Sequence, residues 1–274
     1  MKIFSQIISY SLPILYLIVL YVYYLIFLGK YKSLEKKTTP MLVGLLLIHA
    51  LNMVIRNVAL KTIPLSTIFD AFSFLAFSIL IVYMILETSL KSRGSGLFIL
   101  GFAFVLELIS TFNHSWEPET NELLQNPVFA VHASMSIMGY TALSLSAIYA
   151  LMYIVQDHNL KKRNLGTLFM QLPALSYLEK MSVRSVFIGI ILLGIGILLG
   201  HIMATSLIGS FWPKDVKVVT SDLVWLIYLV GYFLTGRLKW RGEKMAYFSL
   251  IGFVVLVIGG LIIINLSESF HAFY

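Results

Sequence analysis

Residues 6–29 read QIISYSLPILYLIVLYVYYLIFLG, and residues 30–37 that follow read KYKSLEKK. An apolar stretch of that length meets the ~20 residues an α-helix needs to cross a bilayer, and the lysines behind it mark a stop at the membrane surface. It is too long for the core of a cleaved signal peptide. Its leading charge is only Lys2, and no small-residue cleavage site follows.

The same pattern recurs at 40–60, 66–87, 96–113, 128–155, 183–209, 220–236 and 245–267. The expected fold is therefore all-α, a polytopic membrane protein of about eight transmembrane helices in a single domain over 1–274. Composition agrees: 59% of the residues are hydrophobic and 12% charged, where a soluble domain carries roughly a quarter charged residues. The net charge of +7 is spread over short clusters between apolar runs, which suits membrane loops better than a nucleic-acid surface. Cysteine is absent, which excludes disulfides, thiolate metal sites, cysteine nucleophiles and thioether attachment of a haem.

The basic clusters fix an expected orientation. Lys30, Lys32, Lys36, Lys37, Lys91 and Arg93 fall in one set of loops, with Lys161, Lys162, Arg163, Lys180 and Arg184. Arg237, Lys239, Arg241 and Lys244 bring that side to 15 of the 20 basic residues. The opposite loop at 114–127 carries Glu117, Glu119 and Glu122. Positive charge is retained inside, so both the N- and C-termini are expected outside. Between the fifth and sixth runs, 164–182 is mixed apolar and polar and broken by Pro173. It reads as a short amphipathic element along the surface.

Ionisable residues inside such spans are costly and mark function or pairing. His132 lies near the outer end of the fifth run, and His271 just past the outer end of the eighth. His49 is mid-depth in the second, His201 in the outer half of the sixth, His114 at an outer end and His158 in an inner loop. Two imidazoles from different helices on one face suit axial ligation of haem iron, and equally suit polar packing. The segment Gly209-Ser210-Phe211-Trp212-Pro213-Lys214-Asp215-Val216-Lys217, leading to Trp225 and Tyr228, offers an aromatic shelf for a flat macrocycle with lysines for its propionates. The plainer reading is an interfacial aromatic belt. Arg56, Asp70 and Glu107 share one expected depth, so an architectural Arg56–Asp70 or Arg56–Glu107 pair is expected. Gly196, Gly200 and Ala204 form a small-residue ridge that permits close helix approach. Tyr140, Thr141, Ser144 and Ser146 are expected to hydrogen-bond between helices.

At these residues the chain resembles a known family. Arg56 with Pro64-Leu65-Ser66 and Asp70 is similar to a segment between early helices of the cytochrome c assembly (CcsA-like) membrane proteins. His132, with Met135, Gly139-Tyr140 and Ser144, looks like the helix bearing their first external histidine. Ser267-Glu268-Ser269-Phe270-His271 looks like the ending that carries the second. Their tryptophan-rich signature is present in eroded form: Trp212 stands three residues before Asp215, Lys217 two after it, and Trp225-Leu226-Ile227-Tyr228 at the expected offset. The histidine that the cytochrome-synthase members carry soon afterwards is missing from Leu229-Val230-Gly231-Tyr232. The erosion fits the HemX branch best.

The resemblance implies non-covalent haem b in an external pocket, with His132 and His271 as axial ligands beside Trp212, Asp215, Lys217, Trp225 and Tyr228. His49 and His201 are subsidiary candidates. It implies a bacterial cytoplasmic-membrane protein of haem homeostasis, a negative effector of the level of glutamyl-tRNA reductase. That enzyme, or a membrane partner, would then be met at the cytoplasmic loops. Haem transport for cytochrome c biogenesis is the alternative. No enzyme is expected: there is no Ser/His/Asp set, no HExxH, no phosphate loop and no paired carboxylates within a helix turn.

Overall fold

The computed structural model describes residues 2–29, 31–60, 65, 67–90, 93–114 and 126–266. Lys30, Pro64, Ser66, Lys91, the glutamates at 117, 119 and 122, and the ending with His271 lie outside the described residues. The described elements are helices, in the order α1 (Lys2–Phe27), α2 (Glu35–Leu60), α3 (Ile68–Leu90), α4 (Gly96–Phe112), α5 (Pro127–Lys161), α6 (Thr167–Gln171), α7 (Leu175–Ile208), α8 (Val216–Arg237) and α9 (Glu243–Leu266). A single 3₁₀ turn precedes α2. Seven of these helices are long and apolar enough to cross a membrane, and α4 is a shorter apolar helix. The protein is a multi-pass, all-helical membrane protein.

Local chemistry sets several helix ends. The Asn126 side chain accepts from the backbone N–H of Val128 at 2.8 Å, and Pro127 takes the first helical position of α5. The last turn of α7 closes on Gly209, whose φ of +69° suits a residue without a Cβ. The surface element expected over 164–182 is a correction. Only Thr167–Gln171 forms a separate helix, and α7 already begins at Leu175. Pro173 stops the chain there by removing a backbone donor. Beyond it, Leu178, Ser182, Ser185 and Val186 continue one buried helical stripe.

The described chain forms two compact units. The first comprises residues 1–120 with 164–173, and the second 121–163 with 174–274. In the first unit, α1 packs against α2 and α4, and α3 packs against α2 and α4. Apolar side chains such as Leu17, Tyr21, Leu47 and Val54 face outward, while Tyr16, Asn52, Arg56, Glu87 and Glu107 are buried. That is the arrangement lipid favours, since polar groups must find partners inside.

In the second unit, α5 and α7 form the most extensive pairing, and α9 packs against α5 and α8. Its core holds Leu143, Val186, Leu193, Val224, Tyr228 and Met245. The two long helices approach through glycines: a Cβ on Gly139 would lie 2.7 Å from the backbone nitrogen of Leu193. Ser146, Ser182 and Ser249 join α5, α7 and α9 through hydroxyl contacts of 3.1 and 3.0 Å. Ser146 thus bonds between helices as expected. Thr141 and Ser144 do not, since each donates to a carbonyl one turn back, Ile137 and Tyr140. In a helix that acceptor is always within reach of a hydroxyl.

Candidate functional site

His132 enters the second unit little more than a turn into α5, with its backbone carbonyl accepting from Ser136 Oγ at 2.9 Å. Its Nδ1 donates to the Gly196 carbonyl on α7 at 2.7 Å. The ring lies over Gly200, where a Cβ would stand 2.8 Å from its Cε1. With the proton on Nδ1, the Nε2 lone pair is free, and no hydrogen-bond partner reaches it among the described residues. A carbonyl-held Nδ1–H with an open Nε2 is the arrangement metal-ligating imidazoles adopt. His132 is half-buried. The donor chemistry fits a haem iron at this position.

His201, the residue after Gly200, is arranged differently. Its Nδ1 donates to the Phe211 carbonyl at 2.8 Å, and its Nε2 lies 3.2 Å from Asp222 Oδ1, within hydrogen-bond distance. Phe211 stacks on the ring at 5.0 Å, and Trp212 meets it edge-on at 5.7 Å. Both nitrogens are engaged, so His201 pins the 209–215 loop to α7 and α8 rather than offering a lone pair. Asp222 is a site residue that sequence reasoning passed over. Its signal was a carboxylate inside an apolar span.

The tryptophan segment divides into an exposed part and a packed part. Trp212 is exposed. Asp215 is buried and accepts from the Val218 backbone N–H at 3.4 Å, at the start of α8. Trp225 Nε1 donates to the Ile190 carbonyl at 2.8 Å, fastening α8 to α7. Tyr228 lies in the core beside Phe248, its ring occupying the space over Gly252. Of the aromatic residues read as one shelf, Phe211 and Trp212 are exposed, while Trp225 and Tyr228 pack against α7 and α9. The side chain of Lys217 and all of His271 lie outside the described residues.

The first unit holds the other buried polar groups. His49 sits between Tyr16 on α1, with the phenol 3.0 Å from Nδ1, and Ser73 on α3, 2.8 Å from Nε2. Like His201, it has both nitrogens engaged. Arg56 Nε donates to Asp70 Oδ1 at 2.8 Å, and its guanidinium stacks 4.3 Å over Phe69. Of the two pairs the sequence allowed, Arg56–Asp70 forms. Asp70 Oδ2 also accepts from the Thr67 backbone and hydroxyl. His114 lies 3.5 Å from Arg56 Nη1. Burial, and then the Arg56 charge, hold its imidazole below the ordinary histidine range against the pull of Asp70. A separate cluster surrounds the buried Glu87. Its carboxylate accepts from Tyr23, from Tyr83 at 3.0 Å, and from Thr38 and Thr39 at 2.7 and 3.1 Å, with Arg93 at 3.7 Å.

The comparisons with known proteins agree with this reading of the helices. The family model described as cytochrome C assembly protein matches residues 65–271, well over half of the chain. Protein HemX of Brevibacillus brevis is 30% identical over 160 residues, 57% of this chain and 57% of that protein. Protein HemX of Bacillus subtilis (strain 168) is 30% identical over 184 residues, 64% of this chain and 66% of that one. The cytochrome c biogenesis protein CcsA of Guillardia theta is 27% identical over 158 residues, 52% of each. The matched stretches span less than two thirds of the length of these relatives. On the reach of that family match and the helix that presents His132, the chain belongs to the cytochrome c assembly protein family, within its HemX- and CcsA-like membrane proteins.

Proposed function

We propose that this protein binds haem b non-covalently at the outer face of a bacterial cytoplasmic membrane and acts in haem homeostasis as a HemX-type negative effector of glutamyl-tRNA reductase level. The observation that carries the reading is His132: its Nδ1–H is held by the Gly196 carbonyl, leaving Nε2 open on a half-buried ring. His132 and His271 would hold the iron, and Trp212 would offer an exposed aromatic face to the macrocycle. The bound group would supply a one-electron couple and a visible spectrum. The residues of this chain do the rest. Gly196 fixes the tautomer of His132, Gly200 makes room for its ring, and the His201–Asp222 contact holds the Trp212 loop in place. No catalytic turnover is assigned to the site.

The test is the visible spectrum of detergent-purified protein, oxidised and dithionite-reduced, for wild type, His132→Ala and His271→Ala. A sharp reduced α-band that is lost or shifted in both variants is expected. A featureless wild-type spectrum that persists after haem is added back would remove the cofactor from the reading.

A second reading, haem handling for cytochrome c biogenesis, draws support from the CcsA relatives. A deletion strain separates the two. Accumulated glutamyl-tRNA reductase with normal c-type cytochromes supports regulation, and a c-type cytochrome deficit supports handling.

A further inference from the structure

The first unit contains a buried polar chain that the haem reading does not use. From α1 to α4 it runs Tyr16 Oη, His49, Ser73 Oγ and Glu107 Oε2, with steps of 3.0, 2.8 and 3.2 Å. His49 Nε2 also lies 3.8 Å from Glu107 Oε2. His49 and Glu107 are completely buried, Tyr16 and Ser73 nearly so. The second carboxyl oxygen, Glu107 Oε1, has no hydrogen-bond partner among the described residues.

Charge counting shows what is missing. Among the described residues, the ionisable groups facing this chain are Tyr16 from α1, His49 and Arg56 from α2, Asp70 from α3, Glu107 from α4 and His114 just beyond it. Arg56 and Asp70 neutralise one another at 2.8 Å. With a neutral His49, an ionised Glu107 leaves one uncompensated negative charge out of water, with a bare oxygen, which is among the costliest arrangements in a membrane interior. One added proton cancels it.

We propose that His49 and Glu107 form a binding site for one exchangeable proton, reached from the Arg56–Asp70 end of the unit. The heavy-atom geometry serves both states. Without the proton, Tyr16 donates to His49 Nδ1, His49 Nε2–H donates to Ser73, and Ser73 donates to Glu107. With it, Glu107 Oε2–H donates to Ser73, Ser73 donates to Nε2, and Nδ1–H donates to Tyr16. The two states differ by one proton taken from water and by the tautomer of His49; the three hydrogen bonds reverse direction and no other covalent bond changes. The entry is a small cavity bordered by Asn52, Arg56, Asp70 and Ser73, with about 10 Å³ for a water centre, the space of roughly one water molecule. Ser73 belongs to both the cavity and the chain, so a single hydroxyl would separate a water placed there from Glu107.

The test is infrared difference spectroscopy of the purified full chain in detergent, labelled with ¹³C-glutamate, between acid and alkaline buffer. The expected result is a label-shifted carboxylic-acid C=O band that grows on acidification, shifts in D₂O and disappears in Glu107→Gln. The other glutamates, Glu87 among them, are read as the bands that Glu107→Gln leaves unchanged. Absence of the band at every pH where the wild type stays folded overturns the proposal, as does its persistence in folded Glu107→Gln. Should that variant not purify, the band must shift in Ser73→Ala, which removes the hydroxyl that the protonated Glu107 bonds and leaves the surroundings of Glu87 unchanged. An unshifted band overturns it equally. The measurement reads no haem, so its failure leaves the haem reading standing.

Discussion

The imidazole of His132 occupies the space that Gly200 leaves empty: a Cβ there would stand 2.8 Å from Cε1 and 3.1 Å from Nδ1. The small-residue ridge on α7 therefore does two things. At Gly196 the close approach brings α5 and α7 together, with the Gly196 carbonyl accepting from His132. At Gly200 it seats the ring that the carbonyl orients.

Gly200→Ala is expected to fold but to displace the imidazole and lose its hydrogen bond to Gly196. Overpacking of this kind costs about 1–3 kcal/mol, visible as a lower unfolding temperature in detergent. Haem titration of the variant should show weakened binding with an altered reduced spectrum. Gly236→Ala, where no atom lies within 4 Å of the added Cβ, is the control and should be neutral or slightly stabilising. Equal behaviour of the two variants would show that Gly200 is not a seat for the ring.

The helices and the polar ends of Arg56, Asp70 and His132 were legible because lipid makes a long apolar run and its rare charges conspicuous. What was not legible depended on convergence. Glu87 sits in the polar stretch Glu87-Thr88-Ser89-Leu90-Lys91 and reads as a solvated helix end. Its partners come from α1, α2, α3 and the stretch before α4, and no period in the sequence relates them. His201 and Asp222 lie 21 residues apart on different helices, so each alone looked like a lone ionisable group. His49 was visible at mid-depth, but only the fold shows that Tyr16 and Ser73 use both its nitrogens.

Arg56 and Asp70 bear directly on stability. Both are buried, and removing one partner strands the other charge, at a cost of about 3–5 kcal/mol. Arg56→Met should therefore give markedly lower folded yield and a lower melting temperature. Arg56→Met with Asp70→Asn should recover part of that loss, because the stranded charge is gone. A double variant no better than Arg56→Met would mean that stacking on Phe69 matters more to stability than the ion pair does.

Gly139 tests the α5–α7 contact away from the histidine. A Cβ there would meet backbone and Cβ atoms of Leu193 at 2.7–2.9 Å, and backbone yields less readily than a side-chain tip. Gly139→Val should destabilise the protein by at least the ~1–3 kcal/mol of ordinary overpacking. Gly44→Val, with nothing within 4 Å of a Cβ, should be far milder. Thermal unfolding in one detergent compares them, and similar melting temperatures would refute the close approach.

The Glu87 cluster allows a sharper prediction, about additivity. Tyr23 and Tyr83 both donate to Oε2, and their rings meet edge to face at 5.6 Å. Tyr23 reaches Glu87 from another helix, where such bonds average about 0.6 kcal/mol and reach about 1.7, while Tyr83 reaches it from one turn back on α3 itself; the buried, shared acceptor places both toward the upper end. Tyr23→Phe and Tyr83→Phe should each lower stability by roughly that amount. The double variant should depart from their sum by about 0.5 kcal/mol or more, since the two donors share one oxygen and one packed pair of rings. Glu87→Ala should exceed either single change, because it strands two phenols and two threonine hydroxyls at once. Strict additivity in the double-mutant cycle would mean that the phenols act independently, and that Glu87 is an acceptor of convenience rather than the point on which α1, α2 and α3 converge.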